Sequence, residues 1–220
     1  GNESRVNGAG RTDAGVHAIG QVAHFDSDTK LELHVLERAL NARLPADIRI
    51  RCLQETPDPE FHSRFSARVR RYRYCIYDPS SREAVLKART HWLRSIDQLE
   101  IDKLNEICSL LIGEHNFYSF SRGEDINGNQ LCTAFNAEWT MSSDVSMEFN
   151  ISANRFLRGM VRMLIGAILS AGEDKISQNE FKQALSKPGR LAAAVPAPAH
   201  GLTMLKVEYP DFNLSGFDSD

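Results

Sequence analysis

Apolar residues recur at helical spacing at Leu33, Leu36, Leu40 and Leu44, and Pro45 stops the pattern, which predicts a helix over 31–44. Alternation predicts strands over 21–26, where Val22 and His24 oppose Ala23 and Phe25, and over 48–53, where Ile48 and Ile50 oppose Arg49 and Arg51. A longer strand spans 66–77. One face carries Arg68, Arg70, Tyr72, Tyr74 and Ile76, and the other carries Ala67, Val69, Arg71, Arg73 and Cys75. Leu99, Leu104, Ile107 and Leu111 predict a helix over 96–112, with Asp97 as a cap. Residues 134–141 and 146–153 read as paired strands around a Ser-Ser-Asp turn. A strongly apolar helix follows over 156–171, another begins over 179–185 and ends near Pro188 and Gly189, and a strand closes the pattern over 201–209. Residues 4–7 read as the end of a short strand. The three glycines of 8–15 require a loop or tight turn. Strands alternate with helices, partly as hairpins, so the expected fold class is α+β rather than a doubly wound sheet. Residues 56–60 hold Pro57 and Pro59 and read as a linker.

The chain has 220 residues, one or two domains at about 150 residues each. Apolar residues make up 42% and charged residues 25%, a balance that excludes a disordered chain. The longest apolar runs, such as 163–169, stop far short of the roughly 20 residues of a membrane span. No basic start followed by an apolar stretch suggests a secretory signal, and the expected location is the cytoplasm. Cys52, Cys75, Cys108 and Cys132 form no Cys-x-x-Cys pair, so a zinc ribbon or disulfide scaffold is not expected. The glycine motif arrives within ten residues of Gly1, and we expect the native protein to be longer at this end.

Net charge is −3, which alone speaks against a nucleic-acid binder. Its distribution changes that picture. Residues 61–77 hold Arg64, Arg68, Arg70, Arg71 and Arg73 and no acid, and 154–166 hold Arg155, Arg158 and Arg162 and no acid. The acids collect elsewhere, at Asp97, Glu100, Asp102 and Glu106 and in the tail at Asp211, Asp218 and Asp220.

Three places can carry chemistry. The run Gly8-Ala9-Gly10-Arg11-Thr12-Asp13-Ala14-Gly15-Val16-His17-Ala18 is no P-loop, because no Gly-Lys-Ser/Thr follows. As a dinucleotide fingerprint it would aim Asp13 at a pyrophosphate. It can instead hold a carboxylate exposed in a cleft; a plain turn with a surface aspartate remains the alternative. The Tyr72 strand can stack on bases and meet phosphates, or be an edge strand with solvated arginines. Arg155, Arg158 and Arg162 share one face of the 156–171 helix by spacing, either as a solvated stripe or with one arginine paired to Asp13. The seven histidines show no metal-ligand spacing, and no metal is expected.

The segment 10–18 resembles the signature of the tRNA pseudouridine synthase A family. So do Asn41-Ala42-Arg43-Leu44-Pro45-Ala46-Asp47-Ile48, Phe61-His62-Ser63-Arg64-Phe65-Ser66-Ala67, Arg71-Tyr72-Arg73-Tyr74, Gly113-Glu114-His115-Asn116-Phe117, Phe156-Leu157-Arg158-Gly159-Met160-Val161-Arg162 and Gly201-Leu202, in the family's order over essentially the whole chain. The resemblance implies a cofactor-free isomerase that converts uridine to pseudouridine at positions 38, 39 and 40 of the tRNA anticodon stem-loop. Asp13 would be the catalytic aspartate, and Arg162 would pair with it and keep it ionised and aimed. Arg11 would contact RNA near an extruded uridine. Tyr72 would stack on the flipped uracil and serve the late proton removal from C5, with Leu202 on the other side of the base. Arg158, Arg71 and Arg73 would meet phosphates.

In fold the resemblance implies two RRM- or ferredoxin-like lobes sharing a continuous antiparallel sheet around a central cleft, and a homodimer. The lobes would be 1–58, lacking the family's first strand and helix, and 66–220, joined by 59–65. Residues 130–135 lack the arginine common there in the family. Two other readings compete: a tRNA-binding module without turnover because of the missing N-terminal segment, and a nucleotide-cofactor enzyme resting on glycine richness alone.

Overall fold

The computed structural model describes residues 4–56, 58–123, 128–187, 189, 191 and 195–210. Pro57, Pro188 and the tail acids lie outside them. The architecture is α+β. Strands β1 (Asn7–Gly8), β2 (His17–Ala18) and β3 (Ala23–His24) precede helix α1 (Leu33–Asn41). Then come β4 (Val69–Tyr77), α2 (Ala84–Lys87), β5 (Trp92–Leu93), α3 (Ile101–Ser109) and β6 (Gly113–Asn116). The hairpin β7 (Leu131–Ser143) and β8 (Ser146–Ala153) leads to α4 (Met160–Gly172), α5 (Gln178–Ser186) and β9 (Leu202–Glu208). The large sheet runs β2-β9-β4-β8-β7-β6, with β5 also beside β4, while β1 and β3 pair separately. The sheet is mixed: β2 is parallel to β9 and β5 to β4, and the other pairs are antiparallel. No helix among the described residues is long and apolar enough to cross a membrane.

The core lies on one face of this sheet. Successive strand residues point to opposite faces, and the register aligns Tyr72, Tyr74 and Ile76 with Ile151, Phe149 and Met147, all buried. Trp139 stands opposite Phe149, ring centroids 5.1 Å apart. Beyond the reach of β6, the Asn105 amide of α3 takes over as partner of β7. It accepts from the Trp139 N–H at 2.7 Å and donates to the Trp139 carbonyl at 3.0 Å. Helix α4 is buried along most of its length and packs on α3. Helix α5 starts at Ser177, whose hydroxyl and Glu180 form a reciprocal capping box.

Several expectations shift. Residues 48–53 are not a strand, because no neighbouring strand pairs with them: the Asn41 side chain takes both backbone groups of Ile50 instead. The 21–26 strand shrinks to β3, and the helices expected over 31–44 and 96–112 are shorter at both ends. Helix α4 begins at Met160, because Gly159 at φ +68° breaks the helical path. Arg155 and Arg158 therefore precede the helix, and the single-face argument for the three arginines does not hold.

Candidate active site

The loop that carries Asp13 is fixed at both ends. Before it, the Ala9 N–H donates to the Val22 carbonyl at 2.7 Å, and the Gln21 amide donates to the Gly10 carbonyl at 2.9 Å. After it, β2 joins the large sheet beside β9, and His17 Nε2 meets the Arg89 carbonyl at 2.9 Å. Within the loop the Val16 N–H donates to the Asp13 carbonyl at 3.0 Å, a tight turn that Gly15 completes at φ +84°. A side chain rarely adopts that conformation, and a Cβ there would touch the Ala199 Cβ at 3.4 Å.

Arg162, in the first turn of α4, reaches this loop. Its Nη1 donates to Asp13 Oδ2 at 2.9 Å and its Nε to the Ala197 carbonyl at 2.7 Å. The Ala197 N–H returns a bond to the Arg162 carbonyl at 3.0 Å. The side chains are 16% and 33% exposed, so the pair is partly withdrawn from water on both sides. A cation in the first turn of a helix opposes the helix dipole, by about 0.3–1 kcal/mol. The Asp13 carboxylate at the same end offsets that cost and fixes the direction of both groups. Tyr74 braces the arrangement from below, its hydroxyl donating to the Pro198 carbonyl at 2.9 Å.

Tyr72 lies on the core face of β4 with its ring edge-to-face on Phe156, centroids 5.1 Å apart. Burial pushes its hydroxyl up to about 12; Arg70 pulls the other way and Asp13 adds to the rise. Tyr72 is therefore a neutral phenol at physiological pH, and its hydroxyl bonds no other described residue. Leu202 and Met204 of β9 stand beside Tyr74 and Tyr72 and are buried.

The structure thus brings together Asp13, Arg162 and Tyr72, with Leu202 on the same sheet face as Tyr72. Arg11 is exposed two residues from Asp13, and Arg158 is exposed in the loop entering α4. Arg71 and Arg73 point to the opposite face, where Arg71 meets Glu208 at 2.6 Å and Arg73 lies 3.6 Å from Glu148. Of the residues that build the site, Gln21 stood outside the sequence candidates; Tyr74 and Arg70 lay on the candidate face of the Tyr72 strand but had no role of their own there. Arg70 had a signal: alternation put an arginine on the apolar face beside Tyr72. Among the described residues no group of three or more His, Cys, Asp or Glu side chains is placed to hold a metal.

Comparison with known proteins decides the family. The model of a family described as tRNA pseudouridine synthase matches residues 2–66 and 107–210. The chain belongs to the tRNA pseudouridine synthase family. It is 37% identical over 211 residues to tRNA pseudouridine synthase A of Geobacillus kaustophilus, covering 96% of this chain and 80% of the relative. The corresponding protein of Chlorobium luteolum is 39% identical over 215 residues, 95% of this chain and 81% of the relative. tRNA pseudouridine synthase A 1 of Desulfotalea psychrophila is 39% identical over 218 residues, 94% and 84%. As a member of the tRNA pseudouridine synthase family the chain is an isomerase. Asp13, Arg162 and Leu202 fall inside the stretches matched by the family model; Tyr72 falls between them.

Proposed function

We propose that the chain converts uridine to pseudouridine in the anticodon stem-loop of tRNA, at positions 38, 39 and 40, with Asp13 as the catalytic residue. The observation that carries the reading is the Asp13 carboxylate, held on a glycine-framed loop by Arg162 at 2.9 Å and placed near the buried Tyr72 ring. The reaction breaks the bond from C1′ to N1, turns the uracil and joins C1′ to C5. The C5 proton leaves and N1 gains one, so the product is an isomer of the substrate. These bonds are inaccessible within a stacked stem, and the uridine must be flipped out. In this reading Asp13 attacks C1′ or the pyrimidine, or removes a sugar proton, and so releases the uracil from C1′. Tyr72 and Leu202 flank the base, and Arg11 contacts the RNA beside the extruded uridine and helps hold it out of the stack. Tyr72 is a neutral phenol, so it removes the C5 proton only as its own hydroxyl proton passes to solvent. Arg158 contacts phosphate; Arg71 and Arg73 do so where RNA reaches the far face of the sheet. The lobes 1–58 and 66–220, the junction 59–65, a homodimer, a cytoplasmic location and the absence of cofactor and metal belong to the same proposal.

The test is a position map. Unmodified tRNA transcripts carrying uridine at 38, 39 or 40 are expected to gain pseudouridine there by mass-spectrometric sequencing, and transcripts with cytidine at those positions to gain none. Tight tRNA binding with no pseudouridine anywhere in the transcript would favour the binding-module alternative. Tyr72→Phe is expected to lower the rate about 10²-fold or more, with tRNA affinity within about threefold. Its melting temperature should stay within about 2 °C, because the lost hydroxyl bonds no described residue. Single-turnover rates with filter binding and a thermal melt check this, and an unchanged rate would leave Tyr72 a stacking residue only.

A further inference from the structure

Arg70 is 8% exposed, and no carboxylate among the described residues pairs with it. Its guanidinium is surrounded by carbonyls. Nη1 donates to Ala67 O at 3.1 Å and Asn154 O at 2.6 Å; Nη2 donates to Arg64 O at 2.5 Å and, more weakly, to Ala9 O at 3.4 Å. The four acceptors belong to four segments: the loop that carries Asp13, the turn over 61–66, the entry to β4, and the exit of β8 towards Arg162. Burial weighs most against its charge; Tyr209 and Tyr72 bear on it favourably, while Arg64 and Arg155, both cations, make the charge dearer to bury. A buried cation without a counter-charge is costly unless every donor is used. An apolar residue would fill the space at lower cost but could not grip four carbonyls. Only a planar fork with five donors satisfies that set from one point.

We propose that Arg70 is a positioning residue, whose fork ties the Asp13 loop to the segments framing Tyr72 and Arg162 and so sets the reach of the Asp13 carboxylate over the sheet. The inference rests on the catalytic assignment of Asp13. Arg70 hydrogen-bonds only backbone carbonyls and acts through the backbone of Ala9; its charge also bears on Tyr72, which is why the lysine variant, keeping the charge, is the deciding one.

The test compares Arg70→Lys and Arg70→Met with the unaltered chain. Lysine keeps the charge but cannot span the four carbonyls; methionine keeps the bulk. Both variants are expected to lose about 10²-fold in kcat, the scale of a misplacement near 1 Å, with KM within about threefold. Backbone amides of 9–16 are expected to exchange hydrogen about tenfold faster, while those of β4 and β8 keep their protection. An unchanged kcat, a raised KM with unchanged kcat, or unchanged exchange in 9–16 would overturn the proposal. So would faster exchange throughout the chain or failure of both variants to fold, since either makes Arg70 a residue of global stability. If the unaltered chain forms no pseudouridine, the functional reading falls, and the exchange of 9–16 alone then decides whether Arg70 holds the loop.

Discussion

Replacing Asp13 by asparagine is expected to abolish pseudouridine formation, by at least about 10⁴-fold in single-turnover rate, the scale on which removal of a central catalytic group acts. Asparagine keeps the size of the side chain and leaves an oxygen to accept from Arg162 Nη1. It removes the negative charge that any attack on C1′, attack on the pyrimidine or removal of a sugar proton requires. The loop should hold its course, because its anchors are backbone groups and Gln21 rather than the carboxylate. Binding of tRNA is therefore expected to stay within about threefold, since affinity rests on phosphate contacts. Product analysis alongside filter binding checks both halves. Persisting turnover would remove Asp13 from the chemistry, and lost binding with intact turnover of bound RNA would recast it as a recognition residue.

Arg162→Lys is expected to cost about 10²-fold in kcat with little change in KM. Arg162 spans two acceptors from two nitrogens: Asp13 Oδ2 through Nη1 and the Ala197 carbonyl through Nε. An ammonium is a point donor and cannot hold both in one plane. One of the two is released, and with it either the aim of the carboxylate or the 197–199 segment against which Gly15 rests. The loss in stability should be about 1–2 kcal/mol, one charge-assisted bond in a partly exposed setting, which moves the melting temperature by a few degrees. Steady-state kinetics and a thermal melt separate the two effects. Wild-type kcat in the folded lysine variant would show that the pair with Asp13 is structural.

The site was legible where local chemistry and spacing coincide. Glycines at 8, 10 and 15 around Asp13 announce a constrained loop, and period-two alternation sends Tyr72 and Tyr74 to one face and Arg71 and Arg73 to the other. Sequence periodicity could not say which face meets the Asp13 loop, because that depends on β2 docking beside β9, a pairing between residues 17 and 203. The expected helical stripe of Arg155, Arg158 and Arg162 failed at one residue, Gly159, whose left-handed conformation starts the helix late. The strand over 48–53 failed because alternation reports a half-buried extended segment and not whether a partner strand exists; Asn41 supplied the partner groups instead. Arg70 was visible as an arginine on an apolar face, but its four acceptors come from positions 9, 64, 67 and 154 and have no shared sequence signal.

The most direct test of the central claim is tritium release from tRNA labelled with 5-³H-uridine, run with the unaltered chain and with Asp13→Ala side by side. Joining C1′ to C5 must expel the C5 hydrogen, so release is expected from the unaltered chain and none from the variant at equal tRNA occupancy. Release that persists in Asp13→Ala, or tRNA bound by the unaltered chain with no release at all, would contradict the account.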